Sequence, residues 1–204
     1  MSSYAVLVEA ERRLASWVES LEEADLTRPT PCAGWDVRTL LSHTLTGIEV
    51  FAASADGGPS PTAGDMFGGR DLLGGDPVSA TKRATGRSQA AWAGLADPDA
   101  ELTTILGPLP AGQVMAISAF ATAVHGWDLA VATGQPVTEL PAGLLAHAEA
   151  VAHQVVPGLR GGGDHSLFGP EVPAPGNATP TERLMAFLGR SGRRSAEQPG
   201  HVLG

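Results

Sequence analysis

The amino-acid sequence predicts an all-α fold, in which amphipathic helices pack into a single bundle decorated with long loops. Three observations support this. The chain has 204 residues and is 43% hydrophobic, which is enough for one sizeable core. Several segments place apolar residues at the spacing of one helix face. Proline- and glycine-rich stretches separate these segments. We predict one domain over residues 1–190 and a flexible tail over residues 191–204.

The first two predicted helices lie on either side of a proline-rich connector. Apolar residues recur at helical spacing over residues 3–21. Pro29 and Pro31 then disfavour helix and hold the chain extended. Asp36 is suited to cap the second helix, because its carboxylate can accept a backbone N–H bond at the positive end of the helix dipole. This helix should run to about Ala53.

The remaining elements follow from the same kinds of signal. Residues 56–75 are rich in Gly, Pro, Asp and Ser without a period, which predicts a long surface loop. Pro77 suits the first turn of the third helix, and Gly134 can end the fourth in a left-handed C-cap. The expected bounds are a third helix over 76–96, a β-like piece over 102–106, a fourth helix over 113–132, a fifth over 144–156, a flexible linker at 161–163 and a short helix over 181–188.

Charge and composition exclude several classes of partner. The net charge is −9 and the pI is about 5.0, so we expect neither a nucleic-acid nor an anionic-membrane partner, since both need a cationic surface. The single cysteine, Cys32, cannot form an internal disulfide. Charged residues interrupt the N-terminal segment, and no uninterrupted apolar run reaches about 20 residues. The expected location is therefore the cytoplasm.

The most informative stretch contains His125 and Asp128. On a helical wheel both lie within the apolar face of the fourth helix. A carboxylate is almost never buried unless it is paired or coordinating, and residues three apart on one helix can interact. Two interpretations stay open. The pair forms half of a metal or acid/base site, with Asp128 as ligand or as the group that orients the imidazole, or both residues are core residues with locally satisfied hydrogen bonds.

The other reactive side chains carry weaker signals. His43 lies on the flank of the second helix's apolar stripe, which is by itself an ordinary place for a histidine. Cys32 is either a reactive thiol near a helix N-terminus or a small packing residue, and the second is favoured. The sequence contains no HExxH or CxxC motif and no glycine-rich phosphate loop.

Two motifs resemble those of a known family. Residues 29–43 read P-T-P-C-A-G-W-D-V-R-T-L-L-S-H and resemble the P-T-P-C-x-x-W-x-V-x-x-L-x-x-H signature of the mycothiol-dependent maleylpyruvate isomerase-type, DinB-like proteins of actinobacteria. Residues 125–130, H-G-W-D-L-A, are similar to that group's second signature, H-x-W-D-L-A. The ending from Phe168 to Arg190 is similar to a subgroup known only as metal-binding.

This resemblance implies a DinB-like four-helix bundle, with extra short helices and a divalent metal, usually zinc or nickel, in a cleft. The family's ligand histidines match His43 and His125. A third ligand usually lies one turn before the latter, where this chain has Ala121. The chain must then recruit another group, bind metal weakly or have lost it. The candidates are Asp128, Glu49 and His147, and Asp128 is the first choice as ligand or orienting partner.

The resemblance also implies an activity. In that family a metal activates the sulfur of mycothiol for isomerisation or S-transfer, so we expect a metal- and mycothiol-dependent enzyme that acts on a small electrophile. Asp128 is also the candidate catalytic residue. One rival is a non-catalytic DinB-like protein that binds a ligand or metal through a degenerate site. Another is metal-free acid/base catalysis by His125 with Asp128 as orienter. We expect a monomer or homodimer.

Overall fold

Two helix ends lie at the capping residues that the sequence predicts. We describe a computed structural model over residues 1–67, 71–95, 97, 99–160 and 167–191. The Asp36 carboxylate accepts the Thr39 N–H at 2.8 Å and starts the second helix, as predicted. Gly134 ends the central helix in the left-handed region, at φ 71°, which confirms the predicted C-cap. Local sequence thus sets the start of one histidine-bearing helix and the end of the other.

The described residues form helices and one two-stranded hairpin. A short 3-10 helix covers Glu23–Thr27, before the second helix. The other elements are α1 (Ser3–Val18), α2 (Val37–Asp56), α3 (Ala63–Phe67), α4 (Pro77–Ala93), β1 (Glu101–Thr104), β2 (Gly107–Pro110), α5 (Ala111–Thr133), α6 (Ala142–Leu159) and α7 (Pro180–Phe187).

Helix α5 is the centre of the bundle. It packs against α1, α2 and α6, and α2 also packs against α4. By length and composition α5 could cross a membrane, since its apolar window has a mean hydropathy of 1.4. Its sequence contains polar residues, so it is not an uninterrupted apolar run. However, 83% of that apolar window is buried inside the protein, as expected for the core helix of a bundle. Its apolar character is therefore accounted for by packing.

Three local elements differ from the sequence prediction. The 3-10 helix and α3 lie in stretches that the sequence assigns to a connector and a loop. The predicted β-like piece pairs with a second strand, with Leu102 opposite Leu109. Gly107, at φ 97°, makes the turn, and the prolines of β2 are tolerated because the described sheet has only two strands. The predicted linker at 161–163 and most of the predicted tail, 192–204, lie outside the described residues.

Candidate functional site

The two predicted histidines meet between α2 and α5. The ring centroids of His43 and His125 are 5.2 Å apart, and the rings meet edge to face at 83°. Both side chains are half-buried, because each lies at the border of its helix's buried stripe. Two imidazoles from different helices thus point into one region, although they are far apart in sequence.

The surroundings of His43 fix its tautomer and keep it neutral. Its Nδ1 lies 2.8 Å from the backbone carbonyl of Met66, in α3, and the Trp35 ring packs 4.6 Å away. Because a carbonyl only accepts, Nδ1 carries the proton. Burial, with a smaller contribution from nearby His125, lowers the pKa of His43 to about 4, against the opposing effect of the Met66 bond. A neutral imidazole with a lone pair on Nε2 is the form that binds metals.

Asp128 is a fully buried carboxylate with a strong cationic partner. The Nε of Arg190 donates to its two oxygens at 3.0 and 3.1 Å, and Nη2 donates to Oδ2 at 3.1 Å. Burial alone raises the pKa of Asp128, but the Arg190 charge and the His125 contact outweigh it and lower the pKa. Asp128 and Arg190 are therefore both charged, as a buried ion pair.

Asp128 also holds His125. The Nδ1 of His125 lies 3.4 Å from Oδ2, a long hydrogen bond. An ionised carboxylate only accepts, so Nδ1 of His125 carries the hydrogen in this contact, and in that tautomer Nε2 is the nitrogen with the lone pair. The predicted closeness of the two side chains is confirmed. Whether His43, His125 and Asp128 act as metal ligands stays a prediction.

Cys32 reaches the same carboxylate from the proline-rich connector. Its thiol lies 3.4 Å from Asp128 Oδ2 and 3.9 Å from Arg190 Nη2. Burial and the Asp128 charge raise its pKa far above the usual range, so without a metal the sulfur is a protonated donor. The sequence favoured a packing role for Cys32 and did not predict this contact. Potential metal-binding atoms of Cys32, His125 and Asp128 lie within 4.8 Å of one another.

Arg190 is the site residue that sequence reasoning missed. It follows α7 and its side chain is only 10% exposed, whereas the sequence predicts it only as the last residue of the domain. Two signals were available. A buried Asp128 demands a cation, and Arg190 closes the C-terminal stretch that carries part of the family resemblance.

The other candidates for a third ligand lie elsewhere. Glu49 is ion-paired with Arg87 on α4. His147 on α6 faces the backbone of Ala116, and burial lowers its pKa. Among the described residues, neither joins the cluster around His125. Ala121, one turn before His125 in α5, provides no donor.

Comparison with known proteins agrees with this organisation. The family model described as the mycothiol maleylpyruvate isomerase N-terminal domain matches residues 7–130. An uncharacterized protein from two strains of Mycobacterium tuberculosis is 30% identical over 185 residues, covering 90% of this chain and 95% of the relative.

Solved structures show the same fold. Crystal structures of the mycothiol-dependent maleylpyruvate isomerase and of a histidine-to-alanine mutant have TM-scores of 0.59 and 0.61 to this chain. Identity is 15% and 14%, over 78% of this chain and 72% of the isomerase. At this identity the likeness concerns the fold alone, and it confirms the predicted all-α, DinB-like bundle. The family match extends over more than half of the sequence. The chain therefore belongs to the family of the mycothiol maleylpyruvate isomerase N-terminal domain.

Proposed function

We propose that this chain is a metal- and mycothiol-dependent isomerase or S-transferase that acts on a small electrophile. The observation that carries the proposal is the pair His43 and His125, from two different helices, whose rings meet at 5.2 Å. Family membership supports mycothiol as the cosubstrate, because the matching family model and both solved structures carry mycothiol in their names.

The donor set fits zinc or nickel. Neutral imidazole nitrogens suit both metals. The contacts of His43 with Met66 and of His125 with Asp128 occupy the Nδ1 atoms, so the Nε2 atoms would hold the ion. A bound divalent metal would supply a deprotonated thiol near neutral pH, without a strong protein base.

Asp128 acts on His125 rather than as a primary ligand in this proposal. A carboxylate has about four lone-pair sites. Those of Asp128 already accept from the Arg190 guanidinium, the Cys32 thiol and His125, so they are engaged by donors within the protein. With Ala121 in place of a third ligand, more coordination positions are left for the cosubstrate sulfur and the electrophile. The Trp35 ring packs against His43 in the same region.

Metal content and thiol-dependent turnover test the proposal. Untagged protein is analysed for bound metals and then supplied with Zn²⁺ or Ni²⁺, mycothiol, and either maleylpyruvate or a panel of small conjugated electrophiles. We expect stoichiometric metal and mycothiol-dependent turnover, both lost in His43→Ala and His125→Ala. The control is His153→Ala, whose exposed ring contacts Phe187. Wild-type protein that binds neither metal, or that shows no thiol-dependent turnover with metal supplied, would refute the proposal.

A specific observation favours a second candidate, a non-catalytic binding protein. Ala121 removes the third ligand expected from the resemblance, and a bundle that has lost its metal can still hold a small molecule. Metal-free protein that binds mycothiol without turning over any electrophile would support this function. EDTA distinguishes metal-dependent catalysis from metal-free acid/base catalysis by His125. Activity that survives the chelator but is lost in Asp128→Asn would indicate the metal-free mechanism.

A further inference from the structure

We infer that Arg190 is a positioning residue, whose guanidinium holds Asp128 so that Asp128 keeps the hydrogen on His125 Nδ1 and the ring presents Nε2 to the site. The functional meaning of this inference rests on the proposed function. Its structural content concerns only the three side chains and can be measured on the metal-free protein.

Each nitrogen of the Arg190 guanidinium contacts a group within the protein. Nε and Nη2 contact the Asp128 carboxylate at 3.0–3.1 Å, and Nη1 donates to the Leu188 carbonyl at 3.1 Å. Its carbon lies 5.7 Å from the centroid of the Phe168 ring. A side chain held from so many directions is unsuited to capturing a substrate, but it fixes the position of its carboxylate.

The backbone conformation at Gly189 directs the Arg190 side chain toward Asp128. Gly189 has φ 81°, and a Cβ there would lie 2.8 Å from the Pro170 carbonyl oxygen and 3.0 Å from that of Gly169. Only glycine fits this close approach. The Arg190 N–H then returns to the Met185 carbonyl at 2.9 Å, which closes the end of α7 and turns the arginine inward.

The chain's C-terminal segment thus completes the site. The matched family domain ends at residue 130, and it includes both histidines and Asp128 but not Arg190. Without a counter-charge, a carboxylate buried as completely as Asp128 is strongly disfavoured and would turn toward water. The acceptor that keeps the hydrogen on His125 Nδ1 would then be lost. The site therefore depends on residues far from its motifs.

Long-range ¹H–¹⁵N NMR on metal-free, histidine-labelled protein reads the tautomer directly, with His125 assigned from His125→Ala. We expect the Nδ1–H tautomer of His125 in wild type and a mixed or reversed tautomer in Arg190→Gln. In Arg190→Lys we expect the Nδ1–H tautomer to be retained in part, because lysine restores the positive charge but not the two parallel N–H donors. Arg183→Gln, an exposed arginine on α7, is the matched control and should leave the tautomer unchanged.

Zinc affinity gives a second readout. The Zn²⁺ dissociation constant, from competition with a chelator dye, should rise about 10- to 100-fold in Arg190→Gln and stay unchanged in Arg183→Gln, as found when partners of metal ligands are removed.

A wild-type Nε2–H tautomer overturns the inference even if Arg190→Gln does not fold. So does a folded Arg190→Gln that keeps both the wild-type tautomer and the wild-type zinc affinity. If the protein binds no zinc and turns over no substrate, the proposed function fails, while the tautomer and its dependence on Arg190 still decide this inference.

Discussion

Glu11 offers a sharp test of the electrostatics of this bundle. Its carboxyl is fully buried between α1 and α4, where Gln89 Nε2 donates to Oε2 at 3.0 Å. The other oxygen, Oε1, has no hydrogen-bond partner among the described residues. Burial raises the pKa of Glu11 to about 7, and the neutral Ser88 and Gln89 side chains only partly oppose the shift. The carboxyl is therefore poised to be protonated in the folded state.

The sign of the effect follows from the direction of the shift. The folded pKa of about 7 lies above the ordinary 4.5, so the native state binds this proton more tightly than the unfolded chain does. The stability contribution is fully present below pH 4.5, is lost as the pH rises to about 7, and is constant above that. At 1.36 kcal/mol per pKa unit, the loss is about 3 kcal/mol.

Substituting Glu11 by glutamine removes this titration without changing the shape of the side chain. The amide oxygen can still accept from Gln89, and the amide N–H₂ can donate to the Ser88 hydroxyl. We expect Glu11→Gln to be about as stable as wild type at pH 4.5 and about 3 kcal/mol more stable at pH 8. Urea unfolding followed by tryptophan fluorescence, at half-unit steps from pH 4.5 to 8.5, measures this difference.

The difference between the two proteins isolates Glu11 from every other titrating group. Glu19→Gln, at the end of α1, is the matched control, because the Glu19 side chain is 55% exposed and its surface pair with Lys82 is worth at most about 1 kcal/mol. Parallel stability curves for wild type and Glu11→Gln would refute the reasoning. They would mean that Glu11 is ionised in the native state and is compensated in a way that these contacts do not provide.

Other perturbations test packing, capping and thiol burial. Gly126→Ala should destabilise the protein by about 1–3 kcal/mol in urea unfolding, although alanine favours helix, because its Cβ would lie 2.3 Å from the Trp17 ring; unchanged stability would show that the ring moves freely. Asp36→Ala should cost about 1 kcal/mol through the lost cap of α2, and a smaller effect in urea would show that α2 starts without it. Native Cys32 should react with iodoacetamide at pH 8 at least about tenfold more slowly than the urea-unfolded thiol, because burial raises its pKa, and equal rates would contradict this.

The parts of the fold that sequence predicts best are those set by near neighbours. Asp36 and Gly134 act within one turn of their own positions, so their capping roles can be read locally. The hairpin is a counterexample at short range. The sequence predicted one β-like piece over 102–106 and no partner strand. In the structure Gly107 supplies the turn, and β2 accepts its prolines because it is an edge strand.

In the candidate site, too, contacts between near neighbours in sequence could be predicted, and contacts between separate elements could not. His125 and Asp128 are three residues apart on one helix, so their contact followed from spacing. The approach of His43 to His125 did not follow from spacing, because it depends on how α2 packs on α5; the family resemblance was needed to pair them. The Cys32 contact depends further on the course of the irregular connector, which no periodic pattern encodes.

Asp128 shows where sequence reasoning stops and why. Its position on an apolar face required a partner, and a fully buried carboxylate is best balanced by a side chain with a permanent positive charge, which a histidine does not have. A permanent cation was needed, and the chain has 13 lysines and arginines from which to supply it. The choice of Arg190 depends on a left-handed Gly189 packed against the Pro170 carbonyl, a tertiary contact within the C-terminal segment. The burial of a charge can thus predict that a partner exists and what its charge is, whereas its identity is decided by the backbone that brings it there.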